Sequence, residues 1–522
     1  MDGLSLTYDQ PRSSLAVVEN QKRFQWTNNN EFYSMIPAPY LGFYQNWVKF
    51  WLQWADGYVP FIHGGQYGLL SSCIGTNIVN LVTDKVVGSG IMYKNARKPQ
   101  QVKVNNEGKP VGEALDFFSN EWDLQADFGN KVKQAIKFSF AGGFSILKLN
   151  ATNGELWADC VRADRFYLDI TQSGKIRKCV SMLSFYNDMT TDNKVGKKYS
   201  LVEERYYAKI GLFETEIPVI EYKIYDSSTQ IQNLDVGRTN YIPWEQLPGK
   251  VRKAFKEEYG DVELNKAQAL NGFSDLGVYL FKGSSDISNV PQIGLGESIL
   301  ANITTFLYEY DHCNTAFNTE IYLARGRVLL PAYMQNGKGG GSSASGFDDF
   351  IFTKAPSVNP EESKPEQVQF GLRANEWKET RNIILENIAS GIKISASSLA
   401  SYLQGGSMRT AREVSSEEDA TTLFVENARI RYTPVINKIV AQVLRYYGYI
   451  DDVEVRWSRA GMTNQTVLVE TLTKAVQGGL ISQQKAHALF NYDDDEEQQL
   501  EDYKKVEEDK AKQQNSMFGG DF

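Results

Sequence analysis

The sequence predicts an α+β fold, mainly α, in which long helices surround one β-rich block. Three observations predict it. Apolar residues recur at helical spacing from about Asn375 to Ile392 and again from Arg409 nearly to Gly448. Between residues 140 and 235 the segments are instead rich in β-branched and aromatic residues. And 522 residues, 42% hydrophobic and 23% charged, suffice for a large ordered core in three or four structural units.

Residues 1–60 read as an extended arm leading into an aromatic helix, whose large rings suit contacts between subunits. Tyr40–Ile62 carries Trp47, Trp51 and Trp54, but Lys49, Gln53 and Asp56 interrupt it. With no run of about 18 apolar residues, packing on protein is expected rather than a membrane span. Ile74, Ile78, Leu81, Val82 and Val86 fall on one helical face over 73–88, and Gly88 and Gly90 stop that helix. A further helical pattern covers 111–138, through Phe117, Trp122 and Ile136. FSFAGGFSILKLN, from Phe138, reads as a helix end running into a strand. WADCVRADRFYLDI, IRKCVSMLSFY, SLVEERYYAKI and PVIEYKIYDSS then predict one antiparallel sheet over 140–235, followed by a helix over 240–262.

Over 296–322, Ile299, Ile303, Phe306, Tyr310, Cys313 and Phe317 recur at spacings of three and four, a seam suited to another helix. Glu309, Asp311 and Glu320 are assigned to its polar side. Residues 325–372 read as two short strands joined by a flexible NGKGGGSSASG loop. After the 375–392 helix comes a polar loop, Ser395–Ser407, and then the longest helix, about 55 Å at 1.5 Å per residue. Pro434 should bend that helix without breaking it. From Gly478 the chain is helical and increasingly acidic, ending in a tail.

Catalytic signatures are missing. The net charge of −9 argues against gripping nucleic acid by its phosphates, yet suits a passage whose acidic wall repels them. Cys73, Cys160, Cys179 and Cys313 are too scattered for zinc or a disulfide framework and read as reduced thiols. GKGGGSS at Gly337–Ser343 has the residues of a phosphate loop in the wrong order, and no GxSxG stands near His63, His312 or His487. Asp493–Glu497 is a run of five carboxylates, but successive helical residues turn by about 100°, so the run cannot converge on one ion. No catalytic residue, metal or cofactor is expected, and the N-terminus shows no signal peptide. The Ser395–Ser407 loop, SASSLASYLQGGS, is small, polar and flanked by Lys393 and Arg409, and such residues between two long helices permit close approach and movement.

In its order of elements the chain resembles the tailed-bacteriophage portal proteins, the head-to-tail connectors. The segments that carry the resemblance are TNIVNLVTDKVVGSG, KQAIKFSFAGGFSILKL, CVRADRFYLDI and GESILANITTFLYEYDHCNTAF, then IILENIASGIKIS, the polar loop and RTAREVSSEEDATTLFVENARIRYTPVINKIV, and last the VEVRWSRAGMTNQTVLVETLTKAVQGGLISQQKAHALF segment. The resemblance implies portal architecture: long stem and spine helices, a β-rich wing and a small α/β clip. It divides the chain into an arm with its aromatic helix (1–60), wing (61–295), stem helix (296–324), clip (325–372), second stem helix (373–394), tunnel loop (395–408), spine helix and wing strand (409–460), helical crown (461–510) and tail (511–522).

It implies a ring of twelve subunits at one capsid vertex, through which double-stranded DNA is packaged and ejected. The partners would be the chain itself, that DNA, the terminase large subunit, the head–tail adaptor and the major capsid and scaffolding proteins. Its place would be the virion, after assembly in the host cytoplasm, with no membrane. Ser395, Ser397, Ser398, Ser401, Tyr402, Gln404, Gly405, Gly406 and Ser407 would face DNA, with Lys393 and Arg409 as phosphate neighbours. Weak, replaceable contacts suit sliding. Another oligomeric virion protein, a connector or scaffold, is the alternative, although adaptors are usually much shorter. A metal-dependent nuclease would need converging carboxylates.

Overall fold

A computed structural model describes residues 42–57, 71–88, 90–95, 114–152, 154–171, 174–188, 197–210, 215–226, 242–259, 264–284, 295–324, 327–331, 351–354, 366–368, 371–404, 411–449, 453–457, 465–478, 480–490 and 503–508. The arm, the Gly-rich clip segment, the Asp493–Glu497 run and the tail lie outside them.

The aromatic helix forms over residues 42–55 (α1) and packs on protein as expected: Phe43, Tyr44, Trp51, Leu52 and Trp54 are buried. Its partner is α2, Ile74–Val87, which buries the apolar face read from the sequence. Gly75 lets the two backbones meet, because a Cβ there would stand 2.5 Å from the Trp54 carbonyl oxygen. After strand β1 (Ile91–Asn95) come a helix over 114–126 (α3) and α4, Phe128–Gly142, which buries Val132, Ala135, Ile136 and Phe140.

The single antiparallel sheet expected over 140–235 is two sheets. Strands β2 (Phe144–Thr152) and β3 (Glu155–Arg162) form a hairpin, and a turn at Ala163–Arg165 carries the chain out of that sheet. The strands β4 (Phe166–Ile170), β5 (Ile176–Asp188), β6 (Lys197–Ile210), β7 (Thr215–Asp226) and β8 (Gln268–Ala269) then make a second, antiparallel sheet in sequence order. The open edge of β2 is taken by β9, Val278–Lys282, giving the order β3-β2-β9. Helix α5, Gly249–Tyr259, covers a smaller apolar cluster on the second sheet with Val251 and Phe255.

A buried charge cluster joins the two sheets. Glu203 on β6 accepts from Lys148 Nζ on β2 at 3.1 Å and from Arg205 Nε at 2.8 Å. Arg205 also donates to the Leu149 and Leu276 carbonyls, at 2.8 and 3.1 Å, and to Asn150. Burial pushes the Glu203 pKa up, but the two cations outweigh it and hold the carboxyl below its ordinary range. Removing one partner would strand a buried charge, at about 3–5 kcal/mol.

The helix expected over 375–392 forms as α7, Ala374–Ile392, whereas the one expected over 296–322 begins later, as a single tight turn at Ala301–Ile303 followed by α6, Thr304–Leu323. On the seam, Ile299, Ile303, Tyr310 and Cys313 are buried, while Phe306 and Phe317 are half-buried. Asp311 does not belong to the polar side: it is buried and accepts from the Ser72 backbone N–H at 2.9 Å and from the Ser72 hydroxyl. The segment before α2 thus satisfies a carboxylate that helical spacing alone had turned outward. Between α6 and α7, where two strands were expected, three are described. Strand β10 (Arg327–Pro331) lies between a parallel β11 (Ile351–Lys354) and an antiparallel β12 (Glu366–Val368).

A nine-residue helix, α8 (Ala396–Gln404), precedes the spine helix α9, Ala411–Tyr446. The 36 residues of α9 run unbroken through Pro434, about 54 Å in all. Proline costs α9 a hydrogen bond at the Ile430 carbonyl, on a solvent-facing residue that is 71% exposed, so no buried group is orphaned. The opposite face buries Val425, Ala428, Tyr432, Ile436, Ile439, Val440 and Val443. Strand β13, Val453–Trp457, pairs with β1 and is held to α9 by bonds from Val455 N to Asn437 Oδ1 (2.9 Å) and from Trp457 Nε1 to Thr433 Oγ1 (2.8 Å). Helices α10 (Gln465–Gln477) and α11 (Gln483–Phe490) follow and pack on each other across the GGLIS turn.

Candidate functional site

The site grows from the antiparallel pairing of α6 and α7. At one end Gly391 of α7 meets Ile303 just before α6, so closely that a Cβ on Gly391 would lie 2.4 Å from Ile303 Cγ2. At the other end Glu320 of α6 meets Arg373 and Trp377, where the chain returns from the clip. The helices therefore form a hairpin about 28 Å long, with the clip at one end and α8 at the other.

At the α8 end, α7 finishes in a left-handed residue, Lys393, with φ of +61° and an exposed side chain. Lys393 N and Ile394 N donate to the Ser390 and Ala389 carbonyls at 3.1 and 3.0 Å, satisfying the last turn. Ser395 then reverses the chain. Its N–H donates to Thr421 Oγ1 of α9 at 2.9 Å, and its hydroxyl accepts the Ser398 N–H at 3.2 Å, an N-cap for α8. Leu399 is fully buried beside Ile394, against α2 and α9.

The expected polar loop is therefore a helix over 396–404. Serine density suggested a loop, but Ser395 is a cap, and Ala396, Leu399 and Leu403 fall at helical spacing behind it. That pattern was the available signal. Of the residues expected to face DNA, Ser395 is buried in its capping role, and Ser397 and Ser398 are half-buried. Tyr402 is 45% exposed. Ser401 and Gln404 lie on the α8 backbone, while Gly405, Gly406, Ser407 and Arg409 fall outside the described residues. The fold thus brings Lys393, Ser395, Ser397 and Ser398 together at the α7–α8 junction and places Tyr402 farther along α8.

A clamp at the clip end was missed by sequence reasoning, which left Glu320 on a free polar face. Glu320 accepts from Arg373 N at 3.0 Å, Arg373 Nε at 3.2 Å, a terminal Arg373 nitrogen at 3.1 Å and the Trp377 indole. Bonds from the Arg373 side chain, its backbone N–H and the indole hold the carboxyl at about 2. The Arg373 guanidinium also sits 5.7 Å from the Trp377 ring centroid. The signal was faint: an arginine and a tryptophan four apart at the start of a helix, 53 residues from their acid.

Among the described residues, no three His, Cys, Asp or Glu side chains gather as a metal set would. No described helix is long and apolar enough to cross a membrane. Compared with known proteins, the chain is matched over residues 100–514 by the family described as phage portal protein, SPP1 Gp6-like. No curated protein matches it.

Proposed function

The chain belongs to the SPP1 Gp6-like phage portal protein family, and from that premise we propose how its parts serve a portal. Twelve copies form a ring at one capsid vertex. Double-stranded DNA passes through its channel during packaging and ejection. The clip strands β10–β12 meet the terminase large subunit and later the head–tail adaptor, and the wing meets the capsid and scaffolding proteins. Assembly takes place in the host cytoplasm, and packaging energy comes from the terminase. The family match over most of the chain carries this reading, and a stem hairpin with a small sheet at its far end supports it.

In this reading the α7–α8 junction borders the channel. Tyr402, Ser397 and Lys393 approach the DNA backbone, with Ser398, Ser401, Gln404, Gly405, Gly406 and Ser407 as further polar neighbours along the sequence and Arg409 as a second phosphate neighbour. Ser395 serves the helix rather than the DNA. Single polar contacts of this kind are individually weak, which suits a polymer that must slide. Deleting 397–406 would also remove the buried Leu399, so point substitutions test the idea more sharply. Rings of Tyr402→Ala with Lys393→Gln should assemble normally and lower the yield of packaged DNA in a packaging assay. Undiminished yield would remove these residues from the channel.

A further inference from the structure

Among the described residues, two surfaces outside α6 and α7 have no partner, and they adjoin the two edge strands, β3 and β9, of the β3-β2-β9 sheet. Beyond β9, a cleft of about 300 Å³ opens between that strand, the second sheet and α9. Its floor is aliphatic, with Leu276, Leu280 and Val435, and its edges carry Lys175, Lys282 and Lys438. Lys282 and Lys438 pair with no carboxylate among the described residues. Lys282 is half-buried, and lost hydration alone holds its pKa below the ordinary lysine value. The acid in the lining, Asp275, already accepts from Gly277 N at 2.8 Å and from the Tyr279 hydroxyl at 3.2 Å. Lys175 is already paired with Glu216 at 3.8 Å and lies over the Tyr207 ring, so the ammonium groups the cleft offers around its apolar hole are those of Lys282 and Lys438.

Beyond β3 the pattern is reversed. Residues 114–127 contain Asp116, Glu121, Asp123 and Asp127 and neither lysine nor arginine. Trp122 anchors this helix to the sheet edge, its indole donating to the Leu156 carbonyl of β3 at 3.0 Å. Leu124 projects from it, 74% exposed, and Trp157 on β3 is 40% exposed. Asp116 and Glu121 are exposed, with no partner among the described residues. An apolar side chain fenced by carboxylates stands at one edge, and an apolar hole fenced by ammonium groups at the other.

Held at opposite edges of one sheet, the two surfaces cannot reach each other within a chain. Complementary patches on different sides of a subunit make a head-to-tail contact, which closes into a ring when the rotation allows. We propose that Leu124, with Glu121 and Asp127, seats in the lysine-edged cleft of a second copy of this chain. The apolar contact supplies burial, while the opposed charges fix which patch meets which. This rests on the ring reading and names the surfaces that meet in the wing.

Charge reversal followed by exchange tests it, read by sedimentation velocity and negative-stain microscopy. Lys282→Glu with Lys438→Glu should lower the ring fraction at least tenfold, and so should Glu121→Lys with Asp127→Lys. Combining all four should restore rings, because the charges again oppose. As a second measurement, Leu124→Cys with Leu280→Cys, in a Cys73→Ser background, should give a ladder of covalent multimers on adding a short bis-maleimide. Rings unaffected by either reversal, or folded rings giving no ladder, would overturn the docking and leave the ring intact as a reading. Wild-type chains that stay monomeric in every condition would overturn the ring reading, and the docking with it.

Discussion

The two ends of the stem hairpin are held by opposite chemistries. At the α8 end the contact is apolar and tight: Leu307, Ile384, Leu385 and Ile388 are buried, and Gly391 touches Ile303. At the clip end it is polar and open: Glu320 grips an Arg373 side chain that is 63% exposed. Apolar burial responds little to pH or salt, whereas an exposed ion pair is screened and titratable. The difference teaches where the hairpin can yield. The α8 end is fixed by the main apolar core, and the opposite end by Glu320 together with the Phe317–Trp377 ring contact at 6.4 Å.

Substitutions at the two ends should therefore differ in kind as well as in size. The largest loss is expected from Ile388→Ala, which empties a fully buried site at a cost of about 2–5 kcal/mol. Thermal unfolding checks it, and an unchanged melting temperature would mean the packed end is loose. Next comes Gly391→Ala, where the new methyl collides with Ile303 and costs about 1–3 kcal/mol. Ile303→Ala removes the Cγ2 that the new methyl meets, so the double variant should lose less than the sum of the two single losses if the collision is the cause.

The smallest effect belongs to Glu320 and should appear as a pH dependence. Its carboxyl is held at about 2, below its ordinary value of 4.5. A lowered carboxylate pKa means that the clamp is complete above about pH 4.5 and is lost as pH falls through about 2. Trp377 fluorescence should report that loss, and Glu320→Gln should flatten the titration. A titration identical in the variant would show that the acid does not hold the clip end.

Local periodicity made the helices legible. The seam from Ile299 to Phe317 and the α9 face from Val425 to Val443 were readable because residues three and four apart share a face wherever the helix goes. The sheet was legible only as strand content, since periodicity says nothing of partners. The pairing of β2 with β9 joins residues 130 or more apart in sequence, and the Lys148–Glu203–Arg205 cluster exists only once β2 meets β6. Asp311 and Glu320 misled for the same reason, because each is satisfied by a residue from another part of the chain. At the candidate site the error was local. A capping serine followed by more serines looked like a loop, although Leu399 and Leu403 kept the helical spacing.

The pairing of β1 with β13 sets a schedule for synthesis. Among the described residues β1 pairs only with β13, roughly 360 residues downstream. A ribosome adding about 5–20 residues per second takes roughly 20–70 s to cover that distance. Throughout that interval Ile91–Asn95 is an open edge on the nascent chain, and the α9 segment that packs on α2 and α4 has still to emerge. Closure of the body thus waits until Val453–Trp457 has been made, long after β1 has left the ribosome.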